Sequence, residues 1–254
     1  MYQTNTNSES SPQRPQDSLI SATENRAMFD MIARWYDGTN RLLSLGLDNL
    51  WRRRAVTVLN PKPEGLYLDV GVGTGDVSLL ITEKSPETRV IGVDPSVGML
   101  KVARAKRDNA GLSHRIQVMA GDVLDLSFPD NTFDGAITAF CIRNVTDRRR
   151  GMREICRVVK RGGQFVILEL TEPLGPIMRP LFRFYARALM PVISGLMSSA
   201  KSYRYLADSM ADFPKPHVFL RAMEESGFTH CSYEHLTGGI VTLFTGQVAD
   251  KADH

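Results

Sequence analysis

The sequence predicts an α/β protein with a doubly wound, mostly parallel sheet and helices on both faces. Three observations carry this. Short apolar runs alternate with amphipathic runs through most of the chain after Gly65, the pattern of βαβ units. The first apolar run ends in Leu68-Asp69-Val70-Gly71-Val72-Gly73-Thr74-Gly75-Asp76, a glycine-rich turn from a strand into a helix. Near the C-terminus two strand-like runs flank Gly238-Gly239, which reads as an antiparallel hairpin at a sheet edge. With 43% hydrophobic and 23% charged residues among 254, the composition is that of a globular protein, and it excludes collagen-like, disulfide-rich or wholly disordered chains.

Residues 1–25 are mostly Asn, Ser, Thr, Gln and Pro, and lack the basic start and apolar run of a secretory signal. Such a segment buries too little apolar surface to offset its ordering entropy, so it is expected to be a disordered tail. Residues 26–248 are expected to form a single domain, followed by a tail over 249–254. Within it, 26–64 reads as a helical cover: Met28, Phe29, Ile32 and Trp35-Tyr36 recur at helical spacing, then Leu42, Leu43, Leu45, Leu47 and Leu50-Trp51, which predicts two helices. Pro61, Pro63 and Gly65 break the pattern. Strands are expected over 66–70, 89–93, 116–120, 133–140 and 164–170. Helices are expected from 77, over 97–107, and over 148–159, where Lys160-Arg161-Gly162-Gly163 closes the last. Residues 173–211, with four prolines, interrupt the rhythm as a helical lid insertion. A helix over 217–226 and strands over 228–234 and 240–245 complete the domain. No run approaches 18 uncharged apolar residues, so no membrane-spanning helix is expected. Cys141, Cys156 and Cys231 lie far apart, fitting a reducing, cytoplasmic setting.

A net charge of +3 is too mild for a chain that wraps nucleic acid. The arginine runs 52–54 and 148–150 have no interleaved aromatics and read as solvated helix faces. The glycine turn departs from the dinucleotide fingerprint G-x-G-x-x-G, because its third glycine is Gly75 and Asp76 follows. A carboxylate there repels a pyrophosphate and suits an ammonium group. Asp94, 19 residues after Gly75, stands where an acid accepts from ribose hydroxyls, and Asp122 suits an adenine amino group. Both acids also suit capping of the segments that follow them. Together the three acids sit at the carboxyl ends of successive parallel strands, where such sheets bind ligands.

This arrangement resembles the class I S-adenosylmethionine-dependent methyltransferases. The resemblance implies a Rossmann-like sheet of seven strands with an antiparallel last strand. It also implies S-adenosylmethionine as co-substrate, held by Gly71, Gly73, Thr74, Gly75, Asp76, Asp94, Met99, Asp122, Val123 and Ala139. The nucleic-acid types are not matched: 138–144 lacks the Pro-Pro of the amino-directed enzymes, and Cys141 follows Phe140 rather than proline, so no nucleic-acid partner is expected. Longer segments resemble the UbiE-type ubiquinone/menaquinone C-methyltransferases: Tyr36-Asp37-Gly38-Thr39-Asn40-Arg41-Leu42-Leu43-Ser44 with Trp51, Phe140-Cys141-Ile142-Arg143-Asn144-Val145-Thr146-Asp147, and Arg157-Val158-Val159-Lys160-Arg161-Gly162-Gly163 with Glu169-Leu170-Thr171. Ser202-Tyr203-Arg204-Tyr205-Leu206 and Leu236-Thr237-Gly238-Gly239-Ile240-Val241 add to a similarity spanning about 27–246. Departures are Thr39 for Met, Asp48 for His, Arg161 for Pro, Thr171 for Ser and Ala139 for Ser.

The resemblance implies methylation of a ring carbon of a prenylated quinol. Such a carbon becomes nucleophilic when a neighbouring hydroxyl loses its proton, so a developing phenolate needs stabilising. Arg143 is the first candidate for that partner, with an ion pair to a carboxylate as its alternative role. Asn144 suits the same oxygen, and Tyr36 suits either a bond to it or plain packing. Cys141 reads as a small hydrophobe. No metal site is expected, since the five histidines, His230 and His235 included, lack ligand spacing. In the insertion, Arg179, Arg183 and Arg187 share a helix face beside Met178, Leu181, Phe182, Tyr185 and Leu189. That pattern suits a prenyl channel and peripheral contact of 173–200 with the inner face of a membrane. The residues leave a homodimer open as an assembly. Two alternatives stay open: another small or lipid acceptor, kept alive by Asp48, and a binding module without catalysis.

Overall fold

The computed structural model describes residues 21–173, 175–176, 178–184, 209–210 and 212–250. The strands are β1 (Leu66–Val70), β2 (Arg89–Asp94), β3 (Ile116–Ala120), β4 (Phe133–Ala139), β5 (Val159–Leu170), β6 (Phe228–Leu236) and β7 (Val241–Val248). They form one seven-stranded sheet in the order β3-β2-β1-β4-β5-β7-β6. The first five strands run parallel, and β7 lies antiparallel between β5 and β6. The expected mostly parallel sheet and its edge hairpin are present.

Alternate side chains of each strand feed opposite faces. Leu68, Phe165 and Ile167 pack with Met152, Ile155, Phe219 and Met223, from helices α6 (Arg148–Val158) and α8 (Pro216–Glu224). Tyr67, Val166 and Leu168 pack with Trp51, Ala55, Ile81 and Leu100, from α3 (Leu47–Leu59), α4 (Asp76–Lys84) and α5 (Val97–Asn109). A short α7 (Met178–Phe184) begins the insertion. Residues 185–208 of the expected lid, including Tyr185, Arg187 and Leu189, lie outside the described residues, as do 1–20 and 251–254.

Three expectations are corrected. The cover holds three helices rather than two: α1 (Ala22–Ile32), α2 (Tyr36–Leu43) and α3. Gly46, left-handed at φ +81°, separates the last two. Residues 22–25, assigned to the tail, open α1 through a capping box in which Ser21 Oγ accepts from Glu24 N–H and the Glu24 carboxylate accepts from Ser21 N–H. Finally, β5 starts at Val159 rather than Gln164; the turn containing Gly162 is a bulge inside the strand, where the register on β4 jumps between Phe133 and Gly135.

Candidate active site

Strand order reverses between β1 and β4, so their carboxyl ends frame a crevice. A cavity of about 340 Å³ occupies it, within the range of small-molecule sites. The glycine turn forms one wall. Gly71 is demanded by closeness: a Cβ there would run into the Cys141 side chain of the loop after β4. Gly75, at φ +90°, makes the turn into α4 and abuts Ala103 of α5.

Asp94 ties this wall to β2. One carboxylate oxygen accepts from Gly73 N–H at 2.9 Å and the other from Ser96 N–H at 2.8 Å. Asp94 nevertheless lines the cavity, and burial holds its pKa above the ordinary carboxylate value despite those two bonds. Asp122 also lines the cavity, and its carboxylate accepts from Leu124 N–H at 2.9 Å. The helix after β2 takes its cap from Ser96, whose Oγ accepts from Met99 N–H. Gly71, Gly73, Met99, Val123 and Ala139 are on the wall as well.

The lining also has an aromatic and polar part. Strand β4 stops at Ala139 because Phe140 turns left-handed, at φ +58°. That conformation is uncommon for a bulky side chain and marks a backbone held by its surroundings. It swings 141–146 across the cavity, bringing Cys141 and Asn144 to the wall beside Tyr36 and Phe29 of the cover. Burial raises the Tyr36 pKa; the Arg143 and Arg52 charges and a bond with Asn40 oppose this, and the Asp94 charge adds to it. The hydroxyl therefore stays protonated as a hydrogen-bond donor. Burial pushes the Cys141 thiol up to about 12, so it is no thiolate at neutral pH.

Arg143 is not on the wall. It is buried one layer behind, ion-paired to the wholly buried Glu169 of β5, whose other oxygen accepts from Arg143 N–H at 3.1 Å. Thr74, Gly75 and Asp76 also lie off the wall. Asp76 and Asp37 each stand 2.5 Å from Lys106 Nζ, and Thr74 Oγ donates to Asp37 at 2.6 Å. This cluster bolts α2 to the glycine turn, so the Asp76 carboxylate already holds an ammonium, that of Lys106.

The arginine runs are not uniformly solvated. Arg52 is buried, paired with Asp48 one turn earlier and stacked 5.3 Å from the Phe140 ring centroid, while Arg53 and Arg54 are exposed. Asp48 is buried too, accepting from Ser44 Oγ at 2.9 Å, and neither it nor Arg52 lines the cavity. Sequence reasoning missed Glu169, Lys106, Asp37 and Asp30. Asp30 of α1 accepts from Ser96 Oγ and Gly98 N–H, each at 2.7 Å, and so docks the cover on α5. Among the described residues, no three His, Cys, Asp or Glu gather as a metal-binding group.

Known proteins extend this picture. A putative S-adenosyl-L-methionine-dependent methyltransferase of Methanococcus maripaludis superposes with a TM-score of 0.65 at 19% identity, over 89% of this chain and 95% of that one, a likeness of fold. The ubiquinone/menaquinone biosynthesis C-methyltransferase UbiE of Syntrophotalea carbinolica is 44% identical over 223 residues, 88% of this chain and 93% of the relative. A demethylmenaquinone methyltransferase of Bacteroides fragilis is 41% identical over 219 residues, 86% and 89% of the two chains. The model of the ubiE/COQ5 methyltransferase family matches residues 19–248, and the chain belongs to that family.

Proposed function

We propose that this protein transfers a methyl group from S-adenosylmethionine to a ring carbon of a prenylated quinol, in ubiquinone or menaquinone formation. The observation that carries the reading is one cavity whose lining combines strand-end acids with aromatic and amide side chains. Asp94 and Asp122 suit a nucleoside: each Asp94 oxygen accepts one backbone hydrogen bond and keeps acceptor capacity for ribose hydroxyls. Met99 and Val123 offer apolar surface beside it for an adenine ring. Tyr36 and Asn144, on the same lining, suit a quinol oxygen.

S-adenosylmethionine supplies an electrophilic methyl on a sulfonium and leaves as a neutral thioether. The remaining work falls to this chain. Tyr36 and Asn144 hold the acceptor oxygen and fix the ring beside the glycine turn, which aligns carbon, methyl and sulfur. Phe29 and Phe140 exclude water, so charges behind the wall act through a low dielectric. The Arg143 guanidinium stabilises negative charge growing on the oxygen, and Glu169 fixes its orientation. Arg143 stays protonated at any working pH, so it acts by its field and not as a base of its own.

The test compares binding with turnover. Asp94→Ala is expected to weaken S-adenosylmethionine binding about a hundredfold or more, the loss of two charge-assisted hydrogen bonds. Tyr36→Phe is expected to leave that binding unchanged and lower turnover on a demethylated prenyl quinol. Loss of cofactor binding in Tyr36→Phe, with Asp94→Ala unaffected, would contradict this division of the cavity.

A further inference from the structure

We propose that the buried Asp48–Arg52 pair is a positioning device for the acceptor: it holds the Phe140 turn and so sets where the loop after β4 meets the cavity. The inference rests on the quinol reading above and adds residues that fix the acceptor's wall. Both charges lie on the core face of α3 with Trp51, Ala55 and Leu59, where apolar side chains are the rule. Asp48 is 4% exposed and Arg52 6%. Apolar residues of like volume often serve stability as well as a buried ion pair does, so the fold alone gives no reason for the pair.

Its geometry gives one. One Asp48 oxygen accepts from Ser44 Oγ at 2.9 Å, and Asp48 N–H donates back to Ser44 Oγ at 3.2 Å. The other oxygen takes an edge of the Arg52 guanidinium. That leaves the flat face to lie on the Phe140 ring, 5.3 Å from its centroid. A planar guanidinium does both at once, and a lysine ammonium does not. Trp51 meets the same ring edge-to-face at 6.4 Å, and its Nε1–H donates to Thr237 Oγ1 at 2.8 Å. Phe140 needs such a hold, because a φ of +58° at a bulky residue persists only where its surroundings over-determine it. Its N–H still joins β5, donating to Leu168 C=O at 2.7 Å. From the next residue the chain leaves the sheet, and Cys141, Asn144, Val145 and Thr146 line the cavity with Phe140 itself. A ring released by Arg52 would let this turn relax and carry Asn144 away from the acceptor. Arg52 also acts by its charge: burial raises the Tyr36 pKa, and the Arg143 and Arg52 charges oppose that rise.

The double variant Asp48→Leu, Arg52→Met tests this on the full chain, because it removes the pair without leaving a lone buried charge. It is expected to melt and to bind S-adenosylmethionine as the wild type does. Its kcat on a demethylated prenyl quinol is expected to fall about tenfold or more, since a small misplacement of a held substrate is enough for that. Phe140→Leu is expected to give a similar loss, and the triple variant no further one, because pair and ring act as a unit. Hydrogen exchange over 140–146 is expected to be faster in the double variant than in the wild type, with β1 unchanged. Wild-type kcat in the double variant would overturn the proposal. So would a triple variant whose loss is the product of the other two, or unchanged exchange over 140–146. Should the double variant melt low, Arg52→Lys decides: it keeps a charge for Asp48 but not the flat face. It is expected to melt like the wild type with a lowered kcat, and wild-type kcat in it would overturn the proposal. A wild type that binds S-adenosylmethionine but methylates no quinol would count against the proposed activity and leave the exchange result to judge the pair.

Discussion

Arg143, next in sequence to Asn144, forms a buried ion pair with Glu169, and its charge acts on Tyr36. A lone buried guanidinium is costly to desolvate, so the pair exists together or not at all. Arg143→Ala is expected to lower kcat while leaving the S-adenosylmethionine Kd near wild type; equal losses in both, seen by calorimetry and steady-state kinetics, would remove its role at the acceptor. Glu169→Gln keeps the shape but removes the charge, and is expected to cost about 3–5 kcal/mol of stability, read from denaturant midpoints. Asp69 makes a separate prediction. It lies under the glycine turn, 1% exposed, accepts from Ser78 Oγ at 2.7 Å, and burial raises its pKa to about 7. The folded state therefore keeps a proton that the unfolded chain releases near pH 4, so stability falls as pH rises from about 4 to 7. Asp69→Asn is expected to flatten that fall in thermal melts across this window; an unchanged pH profile would show that Asp69 is ionised in the fold.

At the scale of elements, the strands were legible because apolar alternation and glycine turns are local signals. Expected and observed bounds for β3 coincide at Ile116–Ala120. The cover was harder. Its capping box sits in a polar segment whose composition reads as tail, and the α2–α3 break depends on a left-handed glycine inside a continuous apolar pattern. The run at 52–54 misled for a geometric reason: three consecutive helical residues fan across about 200°, so they cannot all face water on a packed helix. Lys106, Asp30 and Glu169 were hidden because their partners are distant in sequence: Asp30 meets Ser96 across 66 residues, and Arg143 meets Glu169 across 26. Docking of α1 also makes a prediction. Gly98 lies so close to α1 that an added Cβ would stand 2.9 Å from Asp30 Cα. Gly98→Ala or Asp30→Ala is expected to loosen α1 and weaken S-adenosylmethionine binding about tenfold, with a smaller effect on melting. Calorimetric titration measures this, and unchanged affinity in both variants would free α1 of any part in the site.

For the molecule as a whole, the sheet order explains why the pieces meet. Strands β1 and β4 are neighbours although 62 residues separate the end of one from the start of the other, and the crossovers leave their carboxyl ends open between two layers of helices. The glycine turn, the acids after β2 and β3, and the loop after β4 all emerge at that edge, and the N-terminal helices close over it. The acids and the loop could be read from the sequence as strand-end residues. Which of them face the cavity could not, since Asp76 and Asp94 differ only in the long-range partners that claim their carboxylates. The atom that receives the methyl group defines the reaction. The deciding measurement is transfer from methyl-labelled S-adenosylmethionine to two chemically reduced acceptors, a demethylated prenyl naphthoquinol and a prenyl methoxybenzoquinol, with product fragmentation locating the label. Label on a ring carbon of either acceptor is the predicted result. Label on a quinol oxygen, or none on either acceptor while the protein binds S-adenosylmethionine and a control enzyme turns over, would contradict it.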